Sequence, residues 1–482
     1  MQNSNLSTPV SGGFTATLRP QDGDKLFGLV TQVTRFEAVV VIHAPALVLH
    51  RSEAVPMFQI LLGDWPVYEG RAVITNIVPD TSGATCAVAL SDDGWRESGN
   101  AAGNVSDDVG GRFRTFLQNS QFGLFVRPEF KIVVADLQML LFDLQHWVIR
   151  EELNLNVGAG GPDAGRQQMI VEQLQGQALP LLHAAFERFE QVAGEVPAAA
   201  IAAHAAYAKR QLHPLVLCAP FMYRTFAKPL GYPGDYEMVD MMMRPPFEGS
   251  STFAKLLNTY FLDTAPVIAH RNRLTMLQEI LFSEACRTLR ANRPLRIFNL
   301  GCGPAREVQQ FVAEQEIADR CEFTLLDFNE ETLQHTQKTL EGIKRQHGRR
   351  TKIRTLQKSV MQVIKESAHR DSIFARAEYD LVYCAGLFDY LTDDICRRLI
   401  SVFHRMLAPD GLLVVTNVDA YNPCRKWMEF VVDWFLFYRS KVQPEHDIRG
   451  LQPDELKDAP WAIRSDASGS NVFVELRKPA HV

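Results

Sequence analysis

The sequence predicts an α/β protein: a parallel sheet with helices on both faces in the C-terminal part, preceded by a helical region and a small N-terminal β-barrel. Three observations predict this. From Leu295 onward, short apolar runs alternate with stretches of helical periodicity across short loops, the signature of a parallel sheet. Before that, Leu137, Leu140, Leu141, Leu144 and Val148 recur at helical spacing. Nearer the N-terminus, Ala38–Ile42, Phe58–Leu62 and Ala72–Val78 are short strand-like runs separated by turn-formers such as Gly63–Asp64, Pro79–Asp80 and Ser82–Gly83.

These patterns divide the 482 residues into five segments. Residues 1–13, rich in Ser, Asn, Thr, Pro and Gly, read as a disordered arm. Residues 14–95 form the small barrel, and residues 96–112, a Gly/Asn/Ser/Asp cluster, form a linker. Residues 113–293 are mostly helical. Gly158, Gly160, Gly161 and Pro162 break the first helix; a second helical region covers about 164–212, and a long helical segment covers 251–290. Residues 294–482 hold the parallel sheet.

Composition narrows the function. Hydrophobic residues make up 46% and charged residues 22%, which fits a globular protein with real cores. The net charge of −6 lacks the basic footprint of a nucleic-acid binder. Eight cysteines are scattered without a CxxC pair, so neither a zinc site nor a disulfide framework is expected, and no metal is. A reducing, cytoplasmic compartment is the expectation. The N-terminus has no apolar core of the secretory kind, and no long uninterrupted apolar run predicts a membrane span.

The chemistry concentrates in the C-terminal part. Leu295–Leu300 reads as a strand, Gly301–Cys302–Gly303–Pro304 as a turn, and Val308, Phe311 and Val312 as one face of the next helix. Glycines in such a turn let a ligand approach the backbone, and Pro304 suits the first helical position. A dinucleotide fingerprint would need a third glycine where Arg306 stands, which disfavours a dehydrogenase. The second strand, Glu322–Leu326, ends in Asp327, followed by Phe328; a carboxylate there accepts both ribose hydroxyls of a nucleoside. Lys352–Gln357 and Tyr379–Cys384 read as the third and fourth strands, Leu412–Val415 as the start of a fifth, and Trp461–Arg464 with Val472–Leu476 as a closing hairpin. Ligands of such sheets bind beyond the carboxyl ends of the strands.

This pattern resembles the Rossmann-type, S-adenosylmethionine-dependent methyltransferases over residues 294–419. The resemblance implies S-adenosylmethionine as cofactor. It assigns Gly301, Cys302 and Gly303 to the first motif, Asp327 to the ribose, Phe328 to the cofactor site beside it, Ser359 and Val360 to the adenine, and Gly386, Phe388 and Tyr390 to the loop facing the methyl group. The family often has an acid two residues before the first glycine; Asn299 stands there, keeping a hydrogen-bonding group but not the charge.

A second motif lies outside the sheet. Lys228–Pro229–Leu230–Gly231–Tyr232–Pro233–Gly234–Asp235–Tyr236–Glu237–Met238 places Pro233–Gly234 at the centre of a type II turn, amid two tyrosines and two acids. It reads as a lid, or as an ordinary packed turn. His213–Pro214, this stretch and GCGPAREV together resemble a bacterial group described as extracellular-factor (3-hydroxypalmitic acid methyl ester) biosynthesis methyltransferases, over about residues 165–420. That implies methylation of a small molecule, a fatty-acid carboxylate above all. Tyr232, Tyr236, Phe388 and Tyr390 are candidates to face the sulfonium, and Asp235 and Glu237 are candidate bases for an acceptor that needs one.

Three further features bear on the site. His270, Arg271 and Arg273 precede the first strand; Arg273 suits a carboxylate, although a solvated helix face is the plainer reading. Residues 425–438 are apolar almost all round and are expected to be buried, either as core or lining an apolar pocket. Residues 14–95 resemble a PilZ-type barrel, a fold that binds cyclic di-GMP. The RxxxR arm is missing, since acidic sequence separates Arg19 from Lys25, and so is the DxSxxG element, so a scaffold or homodimer role is expected instead. The rivals to a small-molecule methyltransferase are a protein or RNA methyltransferase and a non-catalytic S-adenosylmethionine-sensing regulator.

Overall fold

Alternation of apolar and polar residues closes the N-terminal strands into a barrel. In the computed structural model, which describes residues 14–19, 25–42, 49–62, 65–80, 83–96, 126–156 and 164–480, the first strands are β1 (Phe14–Arg19), β2 (Leu26–Val33), β3 (Glu37–Ile42), β4 (Ala54–Leu62), β5 (Trp65–Asp80) and β6 (Gly83–Leu90). They pair antiparallel in the closed order β1-β2-β3-β6-β5-β4. Ala38, Val40 and Ile42 point inward from β3, and Ala84, Cys86, Val88 and Leu90 from β6, as the two-residue period of a strand requires. The arm over 1–13, the glycine break over 158–162 and nearly all of the 96–112 linker lie outside the described residues.

The helices follow: α1 (Pro128–Asn156), α2 (Ala164–Gly194), α3 (Ile201–Val216), α4 (Pro220–Ala227), α5 (Tyr236–Met243), α6 (Thr252–Leu262) and α7 (Ala265–Arg290). The expected single helix over 251–290 is therefore two. Pro266 falls in the first turn of α7, where it starts a helix readily but cannot continue one.

Next come β7 (Leu295–Leu300), α8 (Arg306–Glu314), β8 (Cys321–Asp327), α9 (Glu330–His347), β9 (Lys352–Gln357), α10 (Val360–Glu366) and β10 (Tyr379–Cys384). The chain ends with α11 (Asp393–Met406), β11 (Leu407–Val418), α12 (Arg425–Val431), β12 (Trp461–Ser465) and β13 (Asn471–Arg477). The seven strands form one sheet in the order β12-β13-β11-β10-β7-β8-β9. The five from β11 to β9 are parallel, and the terminal hairpin adds β13 and β12 antiparallel. β11 begins earlier than expected, at Leu407. Pro409–Asp410–Gly411 lies within it, where the pairing register with β10 shifts and Asp410 takes φ 61°.

By contact density the chain divides into two compact units. One is Met1–Pro233 with Pro246–Phe261 and Pro423–Phe435; the other is Gly234–Pro245 with Leu262–Asn422 and Leu436–Val482. In the sheet unit, successive residues of β7 feed opposite cores. Ile297 packs with Leu277, Val308 and Leu325, and Phe298 with Phe374, Val382 and Phe403. All six residues of β10 are buried, as befits the central strand of a sheet covered on both faces.

The 425–438 segment is largely buried, as expected, but only its first half is helical. Val431 ends α12, Asp433 takes φ 52°, and the chain then runs on without helix. Glu190 of α2 caps α12, accepting from Lys426 N at 2.8 Å and Trp427 N at 2.6 Å. Among the described residues one helix, Pro128–Asn154, is long and apolar enough to cross a membrane by length and composition.

Candidate functional site

Every residue assigned to the donor from the Rossmann motifs falls at one edge of the sheet, because four adjacent parallel strands, β9-β8-β7-β10, end there. After β7 the chain turns sharply. Gly301 and Gly303 take φ 69° and 51°, and Ala305 takes 52°. The turn is tied to β8 by Leu326 O, which accepts from Gly301 N at 2.8 Å and Cys302 N at 3.0 Å. A side chain at Gly301 would come within 3.2 Å of Leu387, whereas one at Gly303 would meet nothing within 4 Å. The turn is thus packed at its first glycine and open at its second. Pro304 precedes α8 instead of opening it, because left-handed Ala305 is the residue before the helix.

Asp327 faces this turn. One carboxylate oxygen accepts Gly303 N and the other Asn329 N, both at 3.0 Å. Burial raises its pKa, and the backbone N–H groups oppose that rise. Lys358 N donates to Asp327 O at 3.1 Å, which brings the end of β9 alongside. There Ser359 caps α10 in a reciprocal capping box with Gln362, and Val360 turns into the core. Phe328 is half-buried beside Asp327 in sequence.

Beneath the glycine turn lies a polar cluster only partly visible in the sequence. Asn299 on β7 and Tyr383 on β10 sit opposite each other in register, so both side chains leave the same face of the sheet. Glu307, buried in the first turn of α8, accepts from Tyr383 Oη at 2.7 Å and from Asn299 Nδ2 at 3.3 Å. Burial raises the Glu307 pKa; the Tyr383 hydrogen bond and the charge of Arg273 lower it. The Oδ1 atom of Asn299 is buried without a hydrogen-bond partner.

Arg273 is not on a solvated helix face. Its guanidinium lies so close to Gly386, at φ 92°, that a Cβ there would stand 3.1 Å from Nη1 and Nη2. Its Nη2 is 2.7 Å from His270 Nδ1, and His270 is buried. Burial, then the two neighbouring arginines, hold the His270 pKa well below the usual range, so it is neutral. Arg271 instead donates to Met242 O at 2.8 Å.

The loop after β10 is fixed from behind. Arg439 donates to Phe388 O at 2.8 Å and to Leu391 O and Asp393 at 2.7 Å. Asp389 accepts Val418 N at 2.6 Å, and burial pushes its pKa up to about 6. Phe388 is fully buried, packed among Val382, Leu391 and Leu399. Its ring belongs to the core, which removes it from the residues able to face a sulfonium. Tyr390 points the other way: its hydroxyl lies 3.3 Å from where a Cβ on Gly234 would be.

The Pro-Gly motif divides at that point. Gly234 takes φ 79°, as a type II turn requires. Lys228 to Pro233, including half-buried Tyr232, belong to the barrel unit, and Gly234 to Met238 to the sheet unit. Asp235 caps α5, accepting Met238 N at 2.8 Å. Glu237 pairs with Arg244 at 2.7 Å. Tyr236 stacks on His335 with ring centroids 4.4 Å apart and donates to Glu331 at 2.7 Å. Both nominated bases are therefore engaged locally, and Tyr236 serves to dock α5 on α9. Among the described residues no His, Cys, Asp and Glu group of three or more has the arrangement to hold a metal.

The donor fits this edge. Gly303 leaves room for a ligand against the backbone, Asn299 Oδ1 is a buried acceptor without a partner, and Asp327 is a carboxylate at the end of the second strand.

Comparison with known proteins agrees on the domain. Residues 298–413 match a family model described as a methyltransferase domain. No curated protein matches the chain. Among solved structures, the chain is similar to a possible exported protein from Bordetella parapertussis (17% identity, 66% of this chain and 98% of that one, TM-score 0.40). It is also similar to magnesium protoporphyrin IX methyltransferase from Synechocystis PCC 6803 with bound SAH (13%, 44% and 84%, 0.30). A third is the N-methyltransferase NodS from Bradyrhizobium japonicum WM9 in complex with S-adenosyl-L-homocysteine (18%, 51% and 98%, 0.28). With the glycine turn, the strand-end acid and the family match in one place, residues 298–413 form a methyltransferase domain on a Rossmann-type sheet, an enzyme domain that takes S-adenosylmethionine as cofactor.

Proposed function

We propose that the enzyme methylates the oxygen of a small carboxylic acid, a (3-hydroxy) fatty acid being the expected type. The observation that carries this reading is the engagement of both candidate bases: Asp235 caps α5 and Glu237 pairs with Arg244. An alcohol or phenol must lose a proton to accept a methyl group. A carboxylate is already ionised at neutral pH and needs no base. The resemblance to the extracellular-factor group supports the same acceptor, and the net charge of −6 argues against RNA.

S-adenosylmethionine supplies an activated methyl group, so the residues act by orientation, which in favourable cases is worth about 7–11 kcal/mol. Asp327 accepts the ribose hydroxyls, and Gly301, Cys302 and Gly303 admit the donor to the backbone. Phe328 lies beside the donor next to Asp327, and Ser359 and Val360 border the adenine. Arg273, held against Gly386, forks onto the donor's carboxylate. Glu307, with Asn299, supplies beside the same turn the negative charge that position 299 lacks, opposite the donor's ammonium. Tyr390 borders the acceptor. The enzyme is cytoplasmic, and the N-terminal barrel is a scaffold.

Mass spectrometry with methyl-deuterated S-adenosylmethionine tests the reading, offering small-molecule and protein extracts of the host separately. Label in a chloroform-soluble ester is expected. Label only in other small molecules discards the lipid acceptor. Label in protein discards the small-molecule reading. Donor binding without any transfer moves the weight to a sensor.

A further inference from the structure

Helix α1 has two apolar faces where a surface helix needs one. Its inner face carries Phe130, Val134, Leu137, Leu141 and Val148, all buried. On the opposite side run Ile132, Ala135, Met139, Phe142, His146, Ile149 and Leu153, every one exposed. Ile132 is 54%, Met139 60%, Phe142 49%, Ile149 43% and Leu153 63% accessible.

The spacing of this outer stripe is what makes it informative. Its steps alternate three and four residues through three heptads, a period of 3.5, which is the period of a seam between two supercoiled helices. At about 1.5 Å per residue the stripe is roughly 32 Å long. Folded monomers rarely leave so continuous an apolar strip in water.

The charges beside the stripe select the partner. Asp136 and Lys131 flank its beginning, and Arg150 and Glu152 flank its end. Laid antiparallel on a copy of itself, the helix brings Asp136 near Arg150 of the second copy on one flank and Lys131 near Glu152 on the other. Two-fold symmetry repeats both pairs. Laid parallel, it would keep only the two Lys131–Asp136 pairs and leave Arg150 and Glu152 without opposite charges across the seam, against four pairs in the antiparallel arrangement. An anionic lipid surface is a poorer match, because such surfaces favour helices with basic flanks, and Asp136, Asp143, Glu151 and Glu152 outnumber Lys131 and Arg150 here. Asp136 also meets Arg188 at 3.0 Å, an exposed pair of the kind worth little by itself. Glu152 is held by Thr252 and Gln167, both at 2.8 Å.

We propose that the outer face of α1 is a homodimer interface, an antiparallel two-helix coiled coil with the same helix of a second copy. This goes beyond the methyl-transfer reading and does not depend on it.

Sedimentation velocity of the full chain across 1–100 µM (roughly, to bracket ordinary affinities) tests the proposal. A species of about twice 54.3 kDa is expected. Met139→Lys with Phe142→Glu, both on the exposed face, should yield a monomer with unchanged melting temperature and unchanged S-adenosylhomocysteine binding. Arg150→Asp should weaken the dimer at least tenfold, and adding Asp136→Arg should restore it. A wild-type monomer throughout this range overturns the proposal, whether or not the protein floats with phosphatidylglycerol vesicles. A dimer that survives Met139→Lys with Phe142→Glu also overturns it. Failure of the charge swap to rescue Arg150→Asp overturns the antiparallel arrangement.

Discussion

Asp240 and Arg306 tie helix α5 to the glycine turn: the Asp240 carboxylate accepts from Arg306 Nε at 2.7 Å, one residue after left-handed Ala305. The other Asp240 oxygen meets His335 Nε2 at 3.1 Å, and His335 is the ring on which Tyr236 stacks. Helix α5 is thereby clasped to α8 and α9, the helices that follow β7 and β8. Asp240 is buried, so replacing it by Asn leaves the Arg306 guanidinium without its counter-charge and keeps only one of the two acceptor oxygens. Asp240→Asn should cost about 1.5–3 kcal/mol, the range for a charged hydrogen bond. It should also speed amide hydrogen exchange over 236–243. Unchanged exchange there would show that other contacts hold α5.

Asp327 carries the ribose assignment, and its present bonds to Gly303 N and Asn329 N leave lone pairs on both oxygens. Asp327→Ala should weaken S-adenosylhomocysteine binding by tenfold or more, the equivalent of about 1.4 kcal/mol. Calorimetry on full-length protein measures this directly. Affinity within twofold of wild type would remove Asp327 from the donor site.

Most strands of the sheet are legible as short runs bounded by loops; apolar Tyr379–Cys384 and the more polar Lys352–Gln357 both match the observed limits. The glycine turn and Asp327 were legible for the same reason, since strand ends locate them. Glu307 was not. It reads as one more polar residue in a helix, and only the fold sets it under Tyr383, 76 residues away in sequence. Phe388 misled because position along the loop does not reveal which way a ring points. Asp235 was open to a better reading: an Asp before Tyr-Glu-Met is an ordinary helix cap. The heptad of α1 was written in the sequence, but its exposure was not, because the inner face carries a second apolar set.

The proposed role of Glu307 opposite the donor's ammonium is tested by comparing two ligands. Glu307→Gln keeps an acceptor for Tyr383 and removes the charge. Binding of S-adenosylhomocysteine, which carries the α-ammonium, should fall roughly tenfold. Binding of 5′-methylthioadenosine, which lacks the amino-acid part, should stay the same. Equal losses for both ligands would make Glu307 a structural support for the turn. No loss for either would remove it from the site.

Asp389 gives the fold a pH dependence of definite sign. Its pKa rises from an ordinary 3.8 to about 6, chiefly through burial, against the pull of Val418 N–H, Arg273 and Arg439. The folded state therefore holds a proton that the unfolded chain releases between pH 4 and 6. Stability from this group is present below about pH 4 and is lost as pH rises through about 6. The rise corresponds to roughly 3 kcal/mol. Asp389→Asn keeps an oxygen for Val418 N–H and cannot ionise. Its stability relative to wild type should climb between pH 4 and 6 and level off above pH 7, with the variant the more stable there. Melting temperatures of both proteins at pH 4.5, 6 and 8 measure the difference. A difference that stays constant across the three values would mean that Arg273 and Arg439 keep Asp389 ionised throughout, as an ion-paired anchor for the loop after β10.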